Sequence, residues 1–136
     1  MKRNEFLKTT TAAVATMAVA GLSACTDTCS NNACELAAGE IQHTVMFNLA
    51  SGKNSEATDK FLADATRILS AIGSVRNFKV YKQVSKKTNF DFQFSMVFQD
   101  QKAYDTYNNH PDHVAFVANR WVKEVVAFQE ADFIIE

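Results

Sequence analysis

The chain has 136 residues, room for one domain of ordinary size. Its 14 basic and 15 acidic residues nearly balance, and no basic stripe runs along any segment, which argues against nucleic acid as a partner. With 11 Phe against one Trp and one Pro, the core should be rich in phenylalanine.

Lys2, Arg3 and Lys8 make a positive leader. Residues 9–22 carry no charge and are rich in Ala and Val. This stretch is shorter than the roughly 20 residues needed to cross a bilayer as a helix, and it fits the apolar region of a secretory signal. Leu22-Ser23-Ala24-Cys25 resembles the bacterial lipobox, in which the signal is removed ahead of a cysteine carrying diacylglycerol. The resemblance implies a signal peptide over residues 1–24, lipidation of Cys25, and a protein tied through that lipid to a membrane of the cell envelope, on its periplasmic or surface face. Residues 3–8 are also similar to a twin-arginine signal in which Asn4 replaces the second arginine, so two export routes stay open. Lys2, Arg3, Lys8 and Glu5 precede Cys25, leaving 11 basic and 14 acidic residues beyond it, a net charge near −3.

Residues 25–40 read as the lipidated cysteine and a flexible tether, small and polar with little to bury. Cys29 and Cys34 fall within it, either as a local disulfide in an oxidising compartment or as free thiols. Two thiolates with no histidine nearby do not make a metal site, and no metal or cofactor is expected.

The folded domain is expected over residues 41–136. Ile41, His43, Val45, Phe47 and Leu49 alternate with polar or less apolar neighbours, the period of a strand. A turn at residues 51–54 leads to a helix with Asn54 or Ser55 as its N-cap. Ala57, Phe61, Ala65, Ile68, Leu69 and Ile72 recur at three- and four-residue steps, and Gly73 is the predicted stop. Phe78, Val80 and Val84 mark a second strand. Phe90, Phe92, Phe94, Met96 and Phe98 mark a third, joined to the second as an antiparallel hairpin through residues 85–89. Asp100 can cap a short helix ending near Asn109, and Pro111 breaks it. A further helical stretch carries Val114, Val117, Ala118, Trp121 and Val122. Phe128, Phe133, Ile134 and Ile135 form a last strand.

The order β-α-β-β-α-β is the ferredoxin-like arrangement of the α+β class. Two helices cover one face of a four-stranded sheet, and the other face also holds apolar residues. A second copy of the sheet would cover it, which predicts a symmetric homodimer.

The segment Tyr107-Asn108-Asn109-His110-Pro111-Asp112-His113-Val114-Ala115-Phe116, together with His43, Val45 and Phe47 in the first strand, resembles the stress-responsive dimeric α/β-barrel (Dabb) family over about residues 40–135. The resemblance implies a homodimer whose two sheets close into a barrel. It also implies a cavity for a small, largely apolar molecule, with His43, Phe47, His110 and Phe116 as candidate ligand-binding residues. One branch, the plant olivetolic acid cyclase, is similar at the positions of Tyr107 and His113. That likeness implies cyclase- or lyase-like chemistry at a carbon next to a carbonyl, with His113 as general base and Tyr107 as donor to the developing oxyanion. A non-catalytic, stress-related dimer that binds a ligand or serves structure alone is the alternative. His110 at the proline break also suits a capping role, and His43 that of a bonded core histidine. Haem-degrading monooxygenases of the same barrel architecture use an Asn, a Trp and a His, for which Asn48, Trp121 and His113 are available. Trp121, however, sits in a helical apolar stripe and reads as core.

Overall fold

A computed structural model describes residues 35–136 of the chain. The lipobox, the candidate lipidation site Cys25 and the candidate disulfide pair Cys29 and Cys34 lie outside the described residues. Four strands and two helical regions follow in the expected order: β1 (Ile41–Leu49), α1 (Glu56–Leu69), β2 (Arg76–Lys82), β3 (Phe92–Phe98), α2 (Gln101–Asn108), α3 (Pro111–Phe116), a π-helical turn (Val117–Trp121), α4 (Val122–Glu124) and β4 (Val125–Phe133). The strands form one sheet in the order β2-β3-β1-β4, all neighbours antiparallel. This is the ferredoxin-like α+β architecture that the sequence pattern predicts.

Side-chain alternation decides which residues meet the helices. His43, Val45, Phe47 and Leu49 of β1 are buried, as are Phe92, Phe94, Met96 and Phe98 of β3. Register places Val45 opposite Phe94 and Phe47 opposite Phe92, so both sets share one face. Phe47 is the centre of this packing, with 0% exposure and ring centroids 4.6 Å from Phe94, 5.1 Å from Trp121 and 6.0 Å from Phe61. Burying such a side chain stabilises the fold by about 1.5–3 kcal/mol. Helix α1 starts where Ser55 accepts a hydrogen bond from the Thr58 amide, and it lays Phe61, Ala65 and Leu69 on the core.

Several boundaries depart from the sequence expectation. Helix α1 ends at Leu69 with Ser70 as its C-cap, ahead of Gly73, and Ile72 is buried from the following turn. Val84 lies beyond β2 and is 94% exposed, because the strand stops at Lys82. Phe90 precedes β3, and Ile134 and Ile135 follow the end of β4. Residues 35–40 are not simply tether, since Glu40 accepts from the Ala37 amide at 2.9 Å and pairs with Arg76 of β2.

The sheet face away from the helices is mixed in character. It carries Gln42, Thr44, Met46 and Asn48 from β1 and Gln93, Ser95 and Val97 from β3. Gln42 donates to the Ser95 hydroxyl at 3.2 Å, and Thr44 donates to the Ala131 carbonyl at 3.0 Å. Apolar exposure on this face comes mainly from Tyr81 and Phe133 near its rims.

Candidate functional site

The second helical region is broken where the sequence predicts. Asp100 accepts from the Ala103 amide and starts α2. That helix ends at Asn108, and the chain restarts at Pro111 with His110 as N-cap. The break lets Tyr107 and His113 come from different helical segments and still meet, their rings tilted by 36° with centroids 4.1 Å apart. The π-helical turn adds a residue to the helical cycle. Val117 and Trp121, its first and last residues, both reach the same cavity as Tyr107 and His113.

That cavity has a volume of about 640 Å³ and lies between the sheet and the second helical region. Its apolar part is built from Leu69, Phe94, Phe116, Val117, Trp121 and Phe128, among others. Its polar groups are His43, Tyr104, Tyr107, Asn108, His113 and Glu130. Of the lining residues, Asn108, Val122, Phe128 and Glu130 are exposed and mark where the cavity meets solvent.

His113 donates through Nδ1 to the Asn108 carbonyl at 3.2 Å, which leaves Nε2 with its lone pair in the neutral ring. Burial holds its pKa below the ordinary value of 6.5, opposed in part by the bond to Asn108 and the Glu130 carboxylate. The ring is therefore neutral near pH 7 and able to accept a proton. Tyr107 is 4% exposed, and its hydroxyl has no hydrogen-bond partner among the described residues. Burial pushes its pKa far above the usual phenol range, so it is present as a neutral donor.

His43 sits on β1 beside this pair, 5% exposed, with its ring 6.5 Å from that of Tyr107. Its Nδ1 is 2.6 Å from Asp132 and 2.9 Å from the Tyr104 hydroxyl, and that hydroxyl donates to the other Asp132 oxygen at 3.3 Å. A proton on Nδ1 satisfies both acceptors and turns Nε2 into the second available lone pair. Burial, then the Asp132 carboxylate, drives the Tyr104 pKa far above its usual range. Asp132 reaches His43 because β1 and β4 pair these two residues directly. Tyr104 reaches it because it lies one helical turn before Tyr107 on α2.

The six residues singled out in the sequence separate into two groups. His43, Tyr107, His113 and Phe116 line the cavity. Phe47 does not, because Phe61, Phe92, Phe94 and Trp121 enclose it behind the cavity wall. His110 does not either, since its Nδ1 accepts from the Asp112 amide at 3.2 Å as the cap of α3. Sequence reasoning missed Tyr104, Asp132 and Glu130. The three-residue step from Tyr104 to Tyr107 was the available signal for the first, while the two carboxylates depend on strand register. The Asn48, Trp121 and His113 set does not assemble, because Asn48 faces the opposite side of the sheet and bonds the backbone of Asn89 and Asp91. Among the described residues no group of three or more His, Cys, Asp or Glu side chains is placed to hold a metal ion. None of the helices among them is long and apolar enough to cross a membrane.

Residues 41–135 match the Stress responsive A/B Barrel Domain (Dabb). A Dabb-family protein with a ferredoxin-like fold from Mesorhizobium loti is 50% identical, with a TM-score of 0.71 over 72% of this chain and 98% of that one. A dimeric ferredoxin-like protein of Thermobifida fusca is 16% identical, with a TM-score of 0.62 over 75% of this chain and 96% of its own. A hydroxynitrile lyase of Passiflora edulis is 13% identical, with a TM-score of 0.64 over 74% and 96%. These last two likenesses concern the fold. No curated protein matches the sequence. The family match and the similarity to the Mesorhizobium protein together make the chain a member of the Dabb family.

Proposed function

We propose that the domain binds a small, largely apolar carbonyl compound and moves a proton at the carbon next to the carbonyl, in an aldol-, lyase- or isomerase-type reaction. The observation that carries this is the pairing of Tyr107 and His113 in the cavity. An unpartnered hydroxyl and a neutral imidazole with a free lone pair stand in ring contact, next to apolar walls. His113 Nε2 takes the α-proton, and the Tyr107 hydroxyl donates to the enolate oxygen as charge develops there. His43, oriented by Asp132 and Tyr104, provides a second imidazole within reach of the same substrate. The fold is known to carry catalysis, since one protein that shares it is a hydroxynitrile lyase.

The test is α-deuteration of benzylacetone in heavy water, followed by NMR with the full-length chain. Exchange should be faster than in buffer, lost in His113→Gln, and slowed about 10²–10³-fold in Tyr107→Phe. Exchange that persists unchanged in His113→Gln would refute the assignment.

We further propose that the chain is exported, processed ahead of Cys25 and held by lipid at the cell envelope, and that it pairs as a homodimer through the sheet face carrying Tyr81 and Phe133. The lipobox supports the first part. The dimeric state of the Thermobifida protein, together with the exposed apolar rims of that face, supports the second. Native mass spectrometry of the purified protein reads both. The expected species is a dimer of chains that lack residues 1–24 and carry diacylglycerol on Cys25. A monomer, or an unmodified chain, would refute the corresponding part.

A further inference from the structure

Glu130 is the one charged residue that lines the cavity, and no Lys or Arg lines it among the described residues. It stands on β4 opposite Val45, on the cavity side of the sheet and at the exposed mouth. It has no hydrogen bond or ion pair among the described residues, so its charge is not neutralised locally. Asp132, two residues on and on the same side of the strand, adds a second carboxylate that is occupied in holding His43 and Tyr104. Arg120, the cation on the π-helical turn, is already paired with Asp64 and Glu124.

We infer that Glu130 makes the cavity selective by charge, admitting neutral or cationic carbonyl compounds and turning away carboxylates and other anions. This deepens the small-molecule reading above and rests on it. An anion entering the mouth would exchange water for apolar walls beside a like charge, with no cation to offset either cost. Two like charges about 6 Å apart at an effective dielectric near 20 disfavour binding by about a hundredfold, and screening at the open mouth reduces this to about tenfold. The influence of Glu130 inside the site is consistent with this placement, because its charge favours the neutral forms of Tyr104 and Tyr107 and the protonated form of His113. A neutral substrate also fits the chemistry, since a carboxylate next to the reacting carbon would oppose formation of the enolate.

Trp121 is the only tryptophan of the chain and lines the cavity, so its fluorescence reports occupancy directly. Three probes of similar shape separate charge from fit: benzylacetone (neutral ketone), hydrocinnamate (anion) and phenylpropylamine (cation), each titrated against the full-length chain. Hydrocinnamate should bind at least about tenfold more weakly than benzylacetone at low salt, and added salt should narrow the gap. In Glu130→Gln the gap should close to within about twofold, while the amine loses affinity relative to the ketone. Equal affinity for ketone and carboxylate in the unmodified chain, or a gap that Glu130→Gln leaves intact, would overturn the charge selection alone. A Trp121 signal that responds to none of the three probes would remove the small-molecule reading, and this inference with it.

Discussion

The link between His43, Asp132 and Tyr104 makes a quantitative prediction, because each of the two acceptors can replace the other. His43 is buried, and its Nδ1 nitrogen lies 2.6 Å from Asp132 and 2.9 Å from the Tyr104 oxygen. Asp132→Ala removes a charged acceptor, an interaction normally worth about 1.5–3 kcal/mol. Two facts reduce this cost. The Asp132 side chain is half-exposed, and the Tyr104 oxygen remains to accept the proton. The expected loss is therefore about 1–2 kcal/mol. Tyr104→Phe leaves the carboxylate in place and should cost about 1 kcal/mol. In the double variant nothing accepts the Nδ1 proton, and a buried unsatisfied donor adds about 1–3 kcal/mol. The two losses should thus exceed additivity by at least about 1 kcal/mol. Urea unfolding followed by Trp121 fluorescence, at one fixed protein concentration, measures all four corners of the cycle. Losses that add to within about 0.5 kcal/mol would refute the shared-proton arrangement.

Two further predictions concern His113 and Phe47. Burial lowers the His113 pKa in the folded protein, so the unfolded chain binds more protons as pH falls below the ordinary value of 6.5. Stability from this group is complete above about pH 6.5 and is lost as pH drops through the folded pKa; urea midpoints between about pH 7.5 and pH 5 should fall less steeply in His113→Gln, and an unchanged slope would contradict the assignment. Phe47→Leu should cost about 1–3 kcal/mol in stability yet leave benzylacetone affinity within about twofold, because the ring lies behind the cavity wall; a large loss of affinity at unchanged stability would return it to the binding surface.

What the sequence made legible was whatever depends on local period and local backbone chemistry. Alternation along β1 and β3, the three- and four-residue steps of α1, the cap at Asp100 and the break at Pro111 all have causes within a few residues. The same reasoning misplaced ends where an apolar residue serves outside a regular element. Ile72 is buried from a turn, while Val84 and Ile135 follow strands that have already stopped. The Tyr107 and His113 pair was reachable through family likeness, since both residues fall in one motif. Asp132 and Glu130 were not, because only the pairing of β4 with β1 brings Glu130 to the cavity and Asp132 to His43. Phe47 and His110 are themselves motif residues, yet packing and capping turn them away from the cavity.

Strand β4 lies at the rim of the sheet, and one of its long sides has no neighbour among the described residues. Val126, Phe128 and Phe133 of the strand, with Ile134 and Ile135 just beyond its end, leave β-forming apolar side chains exposed there, the composition that recruits other strands into aggregates. Glu130 and Asp132 interrupt that run on the cavity side of the strand, so a foreign strand docking flat would have to accommodate two carboxylates. Glu130, which charges the cavity mouth, and Asp132, which holds His43 and Tyr104, therefore also stand where charge opposes edge pairing. A drift of this strand toward neutral residues, whatever it did for the range of ligands accepted, would make the protein progressively more prone to self-association.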